Sequence, residues 1–347
     1  MSRRTINALM VTPFHSVQRG NSLTASRIRE GLERRGIVFK TVSLEAPDWE
    51  TRLGEALKGG RFDLVHGFHG VYLGKMLGLY SALEQIPLLL TMTGTDLNLR
   101  LGDTERKALD AAVSAASRVV VFNDDSRYRL LSRYAGMAGK VFSIPQGVYL
   151  EDGREMTRAD LGLREDEVLF VLPSGLRWVK NIELAISGTE RARASNRQIR
   201  LLIVGAAIEK TYSENILQRL RDLPWACYLG EVPHSWMKGL LRVSDVVLNT
   251  SRSEGQPQGA LEAMSLGKPA ILTLAPGNRG VIRHGVEGFY VRDVEDLEAA
   301  AVNLAAAKRL RDLMGDQARA MVARRFSLER EIDAYAALYH ELSFLRP

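Results

Sequence analysis

Two glutamates in the second half of the sequence, Glu254 and Glu262, stand with seven residues between them. A polar, glycine-rich loop follows a predicted strand that ends at Asn249, and a helix is predicted to begin beyond it. A Glu262 carboxylate can accept two hydrogen bonds from a vicinal diol such as ribose. Taken singly, each glutamate is also explained as a surface charge. The first amides of the helix have no partner within it and suit a phosphate or a sugar hydroxyl; they belong to Gln258, Gly259 and Ala260.

Two cations follow another predicted strand end, at Pro173. Arg177 offers a planar fork to phosphate oxygens and Lys180 a point charge, so together they could neutralise a diphosphate without a metal. The alternative is a solvated helix start, although cations at a helix N-terminus oppose its dipole. We expect replacement of either residue to lower turnover strongly with little loss of folding.

Two glycine-containing loops are further candidates for ligand contacts. Gly20 and Asn21 precede a helix predicted from Leu23, where the alternative is a plain helix cap. Gly277 and Asn278 follow a predicted strand, and their alternative is a simple turn.

Polar residues also follow two predicted strands in the first half. Thr93 and Asp96 come after one strand, and Asp96 could equally cap the next element. His66 and His69 flank the end of another strand, three residues apart. A metal site would need more ligands than these, so ordinary loop histidines are favoured and no metal is predicted.

The elements that position these residues alternate between short apolar strands and longer segments of helical period. Nearly continuous apolar strands indicate parallel sheets covered on both faces, with right-handed βαβ connections. The polar segment Gly147–Glu167 is the predicted linker between two such sheets. The predicted strands are Ala8–Thr12, Val38–Ser43, Leu64–Phe68, Leu88–Thr91, Val119–Phe122, Val141–Ile144, Val168–Leu172, Leu201–Val204, Cys227–Leu229, Val246–Asn249 and Ala270–Leu274.

Composition sets the class of protein. A length of 347 residues with 46% apolar and 25% charged residues suits two globular domains. The single cysteine, Cys227, forms no internal disulfide, and no apolar run reaches membrane-spanning length. We therefore expect a soluble, cytoplasmic protein.

Residues 1–149 hold 20 basic and 14 acidic side chains, which accounts for the whole net charge of +6. This excess could attract an anionic acceptor or a membrane surface, whereas its scattered placement argues against nucleic acid.

The stretch SEGQPQGALEAMSLGKPA resembles the signature of family 4 of the retaining glycosyltransferases, which have the two-domain GT-B fold. FDLVHGFHG, LLLTMTGTDLN, KVFSIPQGV, VLPSGLRWVKNIELAI and YLGEVPHSWMKGLLRVSDVVLNTS resemble further segments of that family in the same order. The subgroup is similar to the glycosyltransferase 1 domain-containing proteins and to bacterial selenosugar synthases. The resemblance implies two doubly wound, Rossmann-like domains facing a cleft, with residues 1–149 on the acceptor side and 150–327 binding the donor. It also implies that the final helix, about 328–347, packs back on the first domain.

The resemblance implies a role for each candidate residue. Glu262 would hold the ribose and Glu254 the donor sugar, while Arg177 and Lys180 would face the diphosphate. The loops at Gly20-Asn21 and Gly277-Asn278 would reach the donor. Thr93 departs from the family, where a histidine is common, and cannot act as a base, so the role it keeps is contact with the sugar or acceptor. Asp96 is the nearest residue to take over a polar contact, and His69 is a further candidate for contact with the sugar or acceptor.

The function that this resemblance implies is retaining transfer of a hexosyl group from a nucleotide-diphosphate sugar, expected to be UDP-linked. No cofactor, metal or protein nucleophile is needed. Three alternatives stay open: a selenosugar or thiosugar synthase with a small anionic acceptor such as selenophosphate, a nucleotide-sugar epimerase, and a non-catalytic nucleotide-sugar-binding protein.

Overall fold

The structure is a computed structural model that describes residues 4–13, 20–98 and 101–345, without the side chains of residues 20–22 and 98. The chain divides into two compact units. The first comprises Met1–Gly147 with Leu328–Pro347, and the second comprises Val148–Ser327.

The first unit is built on a parallel sheet of short apolar strands. Its order is β2-β1-β3-β4-β5-β6 in the described residues, and every neighbouring pair is parallel. The order reverses between β1 and β3, which is the topological switch point where such sheets bind ligands. The strands are β1 (Ile6–Thr12), β2 (Ile37–Ser43), β3 (Leu64–Phe68), β4 (Leu88–Thr91), β5 (Arg118–Val121) and β6 (Val141–Ser143).

Helices cover both faces of this sheet, which explains why its central strands β3 and β4 are buried along their whole length. The helices are α1 (Gly20–Glu33), α2 (Trp49–Gly59), α3 (Gly70–Leu77), α4 (Thr95–Asn98), α5 (Asp103–Ala115), α6 (Asp124–Arg133) and the C-terminal helix Leu328–Ser343. Apolar side chains of α2, α3, α5 and α6 form one core. Those of α1 and the C-terminal helix form the other.

A buried polar chain joins the C-terminal helix to this sheet. The imidazole of His66, which is fully buried, lies 2.7 Å through Nδ1 from the Tyr339 hydroxyl and 2.8 Å through Nε2 from the Thr91 hydroxyl. The Thr91 hydroxyl lies 3.1 Å from that of Tyr335. Burial lowers the pKa of His66 from 6.5 to about 3, so the imidazole is neutral in the folded chain.

Acidification should destabilise the first unit through His66. The unfolded chain takes up this proton near pH 6.5 and the folded chain only near pH 3, so stability is complete above pH 6.5 and falls below it. The expected loss is up to about 1.4 kcal/mol of unfolding free energy per pH unit. Thermal melting between about pH 7.5 and 5 should show a steeper fall for the wild type than for His66→Gln, and parallel curves would contradict the assignment.

The second unit repeats the architecture with a different strand order. Its described residues form a parallel sheet of order β12-β11-β10-β7-β8-β9, so its switch point lies between β7 and β10. The strands are β7 (Val168–Pro173), β8 (Ile199–Val204), β9 (Ala226–Gly230), β10 (Val246–Asn249), β11 (Ala270–Thr273) and β12 (Gly288–Val291).

Six helices in the described part of this unit again divide between two faces. They are α7 (Ile182–Ser195), α8 (Lys210–Leu220), α9 (His234–Val243), α10 (Gln258–Ser265), α11 (Val294–Ala306) and α12 (Lys308–Arg325). Helices α7, α8 and α11 pack over one face. Helices α9, α10 and α12 pack over the other, which places the start of α10 beside the switch point.

Two expectations from the sequence were wrong. Gly20 and Asn21 belong to the first turn of α1 instead of a loop before Leu23, and their side chains lie outside the described part of the chain. A glycine is tolerated in a first turn, where no intrahelical amide bond is lost.

The segment predicted as a linker is instead packed into the second unit. The Arg158 guanidinium donates to the carbonyls of Glu167 and of Val243, the last residue of α9, which ties the segment to that unit.

Among the residues that the structure describes, no helix has both the length and the apolar character needed to cross a membrane.

Candidate functional site

The loops after β7 and β10 are joined at the switch point of the second sheet. The Thr250 hydroxyl donates to the Lys180 carbonyl over 3.1 Å. The Arg252 amide donates to the Val179 carbonyl over 2.8 Å. Because the two strands are parallel neighbours, residues far apart in sequence come together at their carboxyl ends.

Lys180 and Glu254 form a nearly buried ion pair there. Their Nζ and Oε1 atoms are 2.6 Å apart, and their side chains are 16% and 9% exposed. The same Oε1 accepts from the Ser251 hydroxyl over 2.6 Å and from Asn249 Nδ2 over 2.9 Å. Burial alone would raise the pKa of Glu254, but Lys180 and these two donors hold it below its usual value. Glu254 is therefore an oriented, ionised acceptor.

This ion pair changes one expectation about folding. Removing the Lys180 ammonium would leave a nearly buried carboxylate uncompensated, which is strongly destabilising. Replacement of Lys180 is thus expected to affect stability as well as turnover.

Arg177 lies three residues before Lys180 at the start of a single 3₁₀ turn, Trp178–Lys180. Its Nε is buried and has no hydrogen-bond partner among the described residues. An unmet buried donor costs about 1–3 kcal/mol, which an anionic ligand would recover. The position and the unmet donor both suit a guanidinium that binds phosphate.

The loop after β11 fixes the position of Glu254 through hydrogen bonds and close packing. The Glu254 amide donates to the Pro276 carbonyl over 2.9 Å. Gly277 has φ +83°, and a Cβ there would lie 2.1 Å from the Glu254 carbonyl oxygen, so only glycine fits. Asn278 is fully buried, and its Nδ2 donates to the Thr273 carbonyl (3.0 Å) and to Asn249 Oδ1 (3.1 Å). Gly277 and Asn278 thereby fix the residues that orient Glu254.

The start of α10 abuts the end of β7. A Cβ at Gly259 would lie 2.9 Å from Pro173 Cγ, so glycine permits the close approach. The Gln258 amide donates to the Gln256 carbonyl over 2.9 Å, so it is not available to a ligand, which corrects the sequence prediction. The first helical bond runs from Leu261 to the Pro257 carbonyl, which leaves the amides of Gly259 and Ala260 before it for a ligand.

Glu262 has different surroundings from Glu254. It is buried on α10, and its Oε1 lies 3.6 Å from His234 Nε2 at the start of α9. The Tyr149 ring is stacked on His234 with centroids 6.4 Å apart. An aromatic surface therefore adjoins the carboxylate that was predicted to hold ribose.

In the first unit, Asp96 holds two loops together. Its Oδ2 accepts from the Gly70 amide over 2.8 Å, and its Oδ1 accepts from the amides of Gly94 (2.9 Å) and Thr93 (3.1 Å). Asp96 is 1% exposed. We therefore place it among the residues that fix the loops after β3 and β4, and not among those that contact a substrate.

His69 follows β3 in a strained conformation. It has φ +70° and ψ 109°, an arrangement that costs about 1–3 kcal/mol outside glycine. Its Nε2 lies 3.1 Å from the Thr95 hydroxyl, and its ring packs edge-on against Tyr72. Its Nδ1 is buried and has no hydrogen-bond partner among the described residues. Thr93, predicted as a contact, lies half-buried on the neighbouring loop.

Sequence reasoning missed three residues that shape these sites: Asn249, Ser251 and His234. Asn249 and Ser251 end β10 and begin its loop, so their position after a strand was the available signal. For His234 the signal was the family resemblance of the segment YLGEVPHSWMKGLLRVSDVVLNTS that contains it, whereas its contact with Glu262, 28 positions along the chain, could not be read from the sequence. Within the described ranges, no group of three or more His, Cys, Asp or Glu residues is arranged to hold a metal ion.

Comparison with known proteins relates the chain to glycosyl transferases. Residues 153–321, nearly all of the second unit, match the model of glycosyl transferases group 1. The chain is 24% identical over 335 residues to glycosyltransferase 1 domain-containing protein 1 of Xenopus tropicalis, covering 92% of this chain and 93% of the relative. It is 24% identical over 308 residues to N-acetyl-alpha-D-glucosaminyl L-malate synthase of Bacillus anthracis, covering 84% and 78%.

A solved structure shows the same fold over both units. HepE of Anabaena, crystallised in complex with UDP and glucose, is similar with a TM-score of 0.80 and 17% identity, covering 97% of this chain and 100% of that chain. The predicted α/β architecture with two doubly wound sheets is thus confirmed. Residues 153–321 thus carry the glycosyl transferases group 1 domain, and the chain has the GT-B fold.

Proposed function

We propose that this glycosyltransferase moves a hexosyl group from a UDP-sugar to an acceptor with retention of anomeric configuration. The observation that carries the proposal is the Lys180–Glu254 pair beside Arg177 at the β7/β10 switch point. Support for UDP comes from the HepE complex with UDP and glucose. Support for a hexose comes from that glucose and from the glucosaminyl group in the name of the Bacillus relative.

The chemistry follows from charge and position. The bond between the anomeric carbon and the diphosphate oxygen breaks, and negative charge develops on the leaving diphosphate. Arg177 and Lys180 stabilise that charge, so the proposal requires no metal. The acceptor oxygen bonds to the anomeric carbon from the face that the diphosphate leaves, and its proton passes to a phosphate oxygen. Glu254 accepts from hydroxyls of the sugar and orients it.

Glu262 and its surroundings suit the nucleoside end of the donor. The carboxylate accepts from the ribose hydroxyls, and the stacked rings of His234 and Tyr149 offer an apolar surface beside it. The amides of Gly259 and Ala260 at the start of α10 face the phosphates.

A small anionic acceptor is the class that we favour. The Bacillus relative is named as a synthase of N-acetyl-alpha-D-glucosaminyl L-malate, in which malate is a dicarboxylate. The net charge of +6 in residues 1–149 would attract such a molecule. We expect malate or a phosphorylated small molecule to serve better than a neutral sugar alcohol in a transfer assay.

A panel of nucleotide sugars tested by thermal shift should identify the donor. A UDP-sugar at 100 times its Kd would stabilise the folded chain by about 2.7 kcal/mol, and ADP- and GDP-sugars should have less effect. Glu262→Gln should reduce the shift for UDP and its sugars alike, since ribose is common to both. Equal shifts with all bases, or none with any, would contradict the donor assignment.

A further inference from the structure

We propose that the Tyr212 hydroxyl is a positioning group for sugar transfer, because it fixes the turn that carries Arg177 and Lys180. The inference rests on the proposed function and extends it to α8, a helix to which that function assigns no part. All the contacts that carry the inference lie within the second unit.

The residues around the start of α8 hold the loop after β7 on both sides of Arg177. On one side, the Leu176 carbonyl accepts from the amides of Ile208 and Glu209 over 3.3 and 3.2 Å. On the other side, the Trp178 amide donates to Glu209 Oε2 over 2.8 Å. Glu209 occupies the N-cap position of α8, but its side chain makes no capping bond to that helix. Its carboxylate instead fixes the backbone next to Arg177.

Tyr212, in the first turn of α8, holds the other end of the turn, beyond Lys180. The Ile182 amide, the first of α7, donates to the Tyr212 hydroxyl over 2.8 Å. The hydroxyl in turn donates to the Glu183 carboxylate. Burial and the bond to that carboxylate raise the pKa of Tyr212 well above its usual value, so the hydroxyl keeps the proton that it donates. One half-buried hydroxyl therefore binds both residues that begin α7.

The backbone between Lys180 and Ile182 has a conformation that must be held. Asn181 has φ +49° and ψ 51°, in the left-handed region that side chains adopt at a cost and asparagine enters more readily than most. Its amide closes the 3₁₀ turn by donating to the Trp178 carbonyl over 3.1 Å. The Ile182 amide that follows has no acceptor within α7, as at any helix start. The Tyr212 hydroxyl supplies that acceptor and secures the backbone directly after Lys180.

A small displacement of this turn should affect catalysis more than folding. The turn sets where the Arg177 guanidinium lies and how Lys180 reaches Glu254, 2.6 Å from its Nζ. Misplacing a catalytic group by about 1 Å can lower a rate by about 100-fold. The loss should appear in kcat, because both cations act on charge that develops as the diphosphate leaves.

The test uses variants that each remove one hydrogen-bonding group. Tyr212→Phe deletes the hydroxyl and keeps the ring. Glu209→Ala deletes the acceptor of the Trp178 amide, whereas Glu209→Gln keeps an oxygen there, and Glu209 is exposed, so neither change opens the core. Tyr134→Phe is the matched control, because the Tyr134 hydroxyl also donates to a carboxylate, that of Asp110, at the end of α6 in the first unit. Melting temperature, kcat and KM are measured on the full chain with the donor and acceptor found for the wild type.

We expect Tyr212→Phe and Glu209→Ala each to lose about 10- to 100-fold in kcat, with a much smaller change in the KM for the donor. Glu209→Gln and Tyr134→Phe should keep nearly the wild-type rate, and the two Tyr→Phe variants should melt at similar temperatures. Wild-type kcat in Tyr212→Phe would overturn the inference and leave the proposed function intact. A rate in Glu209→Gln as low as in Glu209→Ala would also count against it, because the acceptor would then not be what matters.

A double variant separates positioning from a general loss of structure. If Tyr212 acts through the turn, Tyr212→Phe should lower kcat by a clearly smaller factor in an Arg177→Ala background, where the turn has lost a cation that it positions. Equal factors in the two backgrounds would overturn the inference. A wild type that transfers no sugar would overturn the proposed function and this inference with it.

Discussion

Replacing Arg177 by alanine should lower kcat/KM for sugar transfer by about 100- to 1000-fold, the usual cost of losing one preorganised group that stabilises transition-state charge. The loss should appear mainly in kcat, because the guanidinium is needed most when the diphosphate departs. The melting temperature of the ligand-free variant should not fall, since the buried Nε of Arg177 is an unmet donor with no partner to lose in the described part of the chain. Steady-state rates and thermal melting of the purified variant measure both effects.

Arg252→Ala is the matched control for Arg177→Ala. Arg252 lies at the same edge of the sheet, is exposed, and has its guanidinium over the Trp178 ring at 4.7 Å. Its removal takes away the same charge without removing a buried donor. Similar losses in the two variants would show that a general positive field, and not Arg177 itself, supports the leaving group.

Replacing Lys180 should differ from replacing Arg177, because Lys180 both stabilises the leaving diphosphate and neutralises the Glu254 carboxylate. Lys180→Ala should lower kcat/KM as Arg177→Ala does, and it should also destabilise the second unit by about 3–5 kcal/mol by leaving Glu254 unpaired. Adding Glu254→Gln removes the stranded charge, so the double variant should regain stability without regaining turnover. A double variant no more stable than Lys180→Ala would show that the pair does not compensate buried charge.

The strands were the most predictable part of the fold. A strand buried on both faces is a mostly apolar run, and Leu64–Phe68 and Leu88–Thr91 were predicted with the bounds that the structure gives. Strand β12 (Gly288–Val291) was missed, since it is four residues long and starts with a glycine at φ +153°. Short edge strands carry too little periodic signal to separate them from loops.

The residues around Glu254 show where sequence reasoning ends. The motif located Glu254 and Lys180 separately, but their ion pair joins positions 74 apart and follows from the β7/β10 pairing. The free amides at the start of α10 were predicted because the first amides of any helix lack partners within it. In the structure the Gln258 amide is not free, because it donates to the Gln256 carbonyl. The roles of the site residues in binding and catalysis stay predictions.

Asp96 and His69 illustrate the same limit in the first unit. Both follow strands, so the sequence offered each as a ligand contact with a structural alternative. Only coordinates separate the two cases. Three backbone amides occupy the Asp96 carboxylate, whereas His69 keeps an unmet nitrogen and a strained backbone. Residue type and spacing could not distinguish Asp96, which fixes loops through hydrogen bonds, from His69, whose strained conformation the loop imposes.

Gly277→Ala adds only one methyl group, but it should strongly weaken donor binding and turnover. A methyl group at Gly277 would lie 2.1 Å from the carbonyl oxygen and 2.9 Å from the Cβ of Glu254, so the loop after β11 must move away from it. That movement breaks the bond from the Glu254 amide to the Pro276 carbonyl and disturbs Asn278, which steadies Asn249. We expect weaker binding of UDP-sugar and a loss of at least about 100-fold in kcat/KM, in the range found for misplaced catalytic groups.

Gly280→Ala separates this steric effect from backbone strain. Gly280 lies in the same loop with φ +74°, and a Cβ there meets nothing within 4 Å. Both alanines carry the cost of a left-handed backbone, about 1–2 kcal/mol, but only the one at 277 collides with Glu254. Melting temperatures, donor titrations and initial rates of the two variants should therefore diverge, with Gly280→Ala retaining near-normal donor affinity. Equal loss of affinity in both would mean that loop strain, and not the support of Glu254, explains why glycine is needed at position 277.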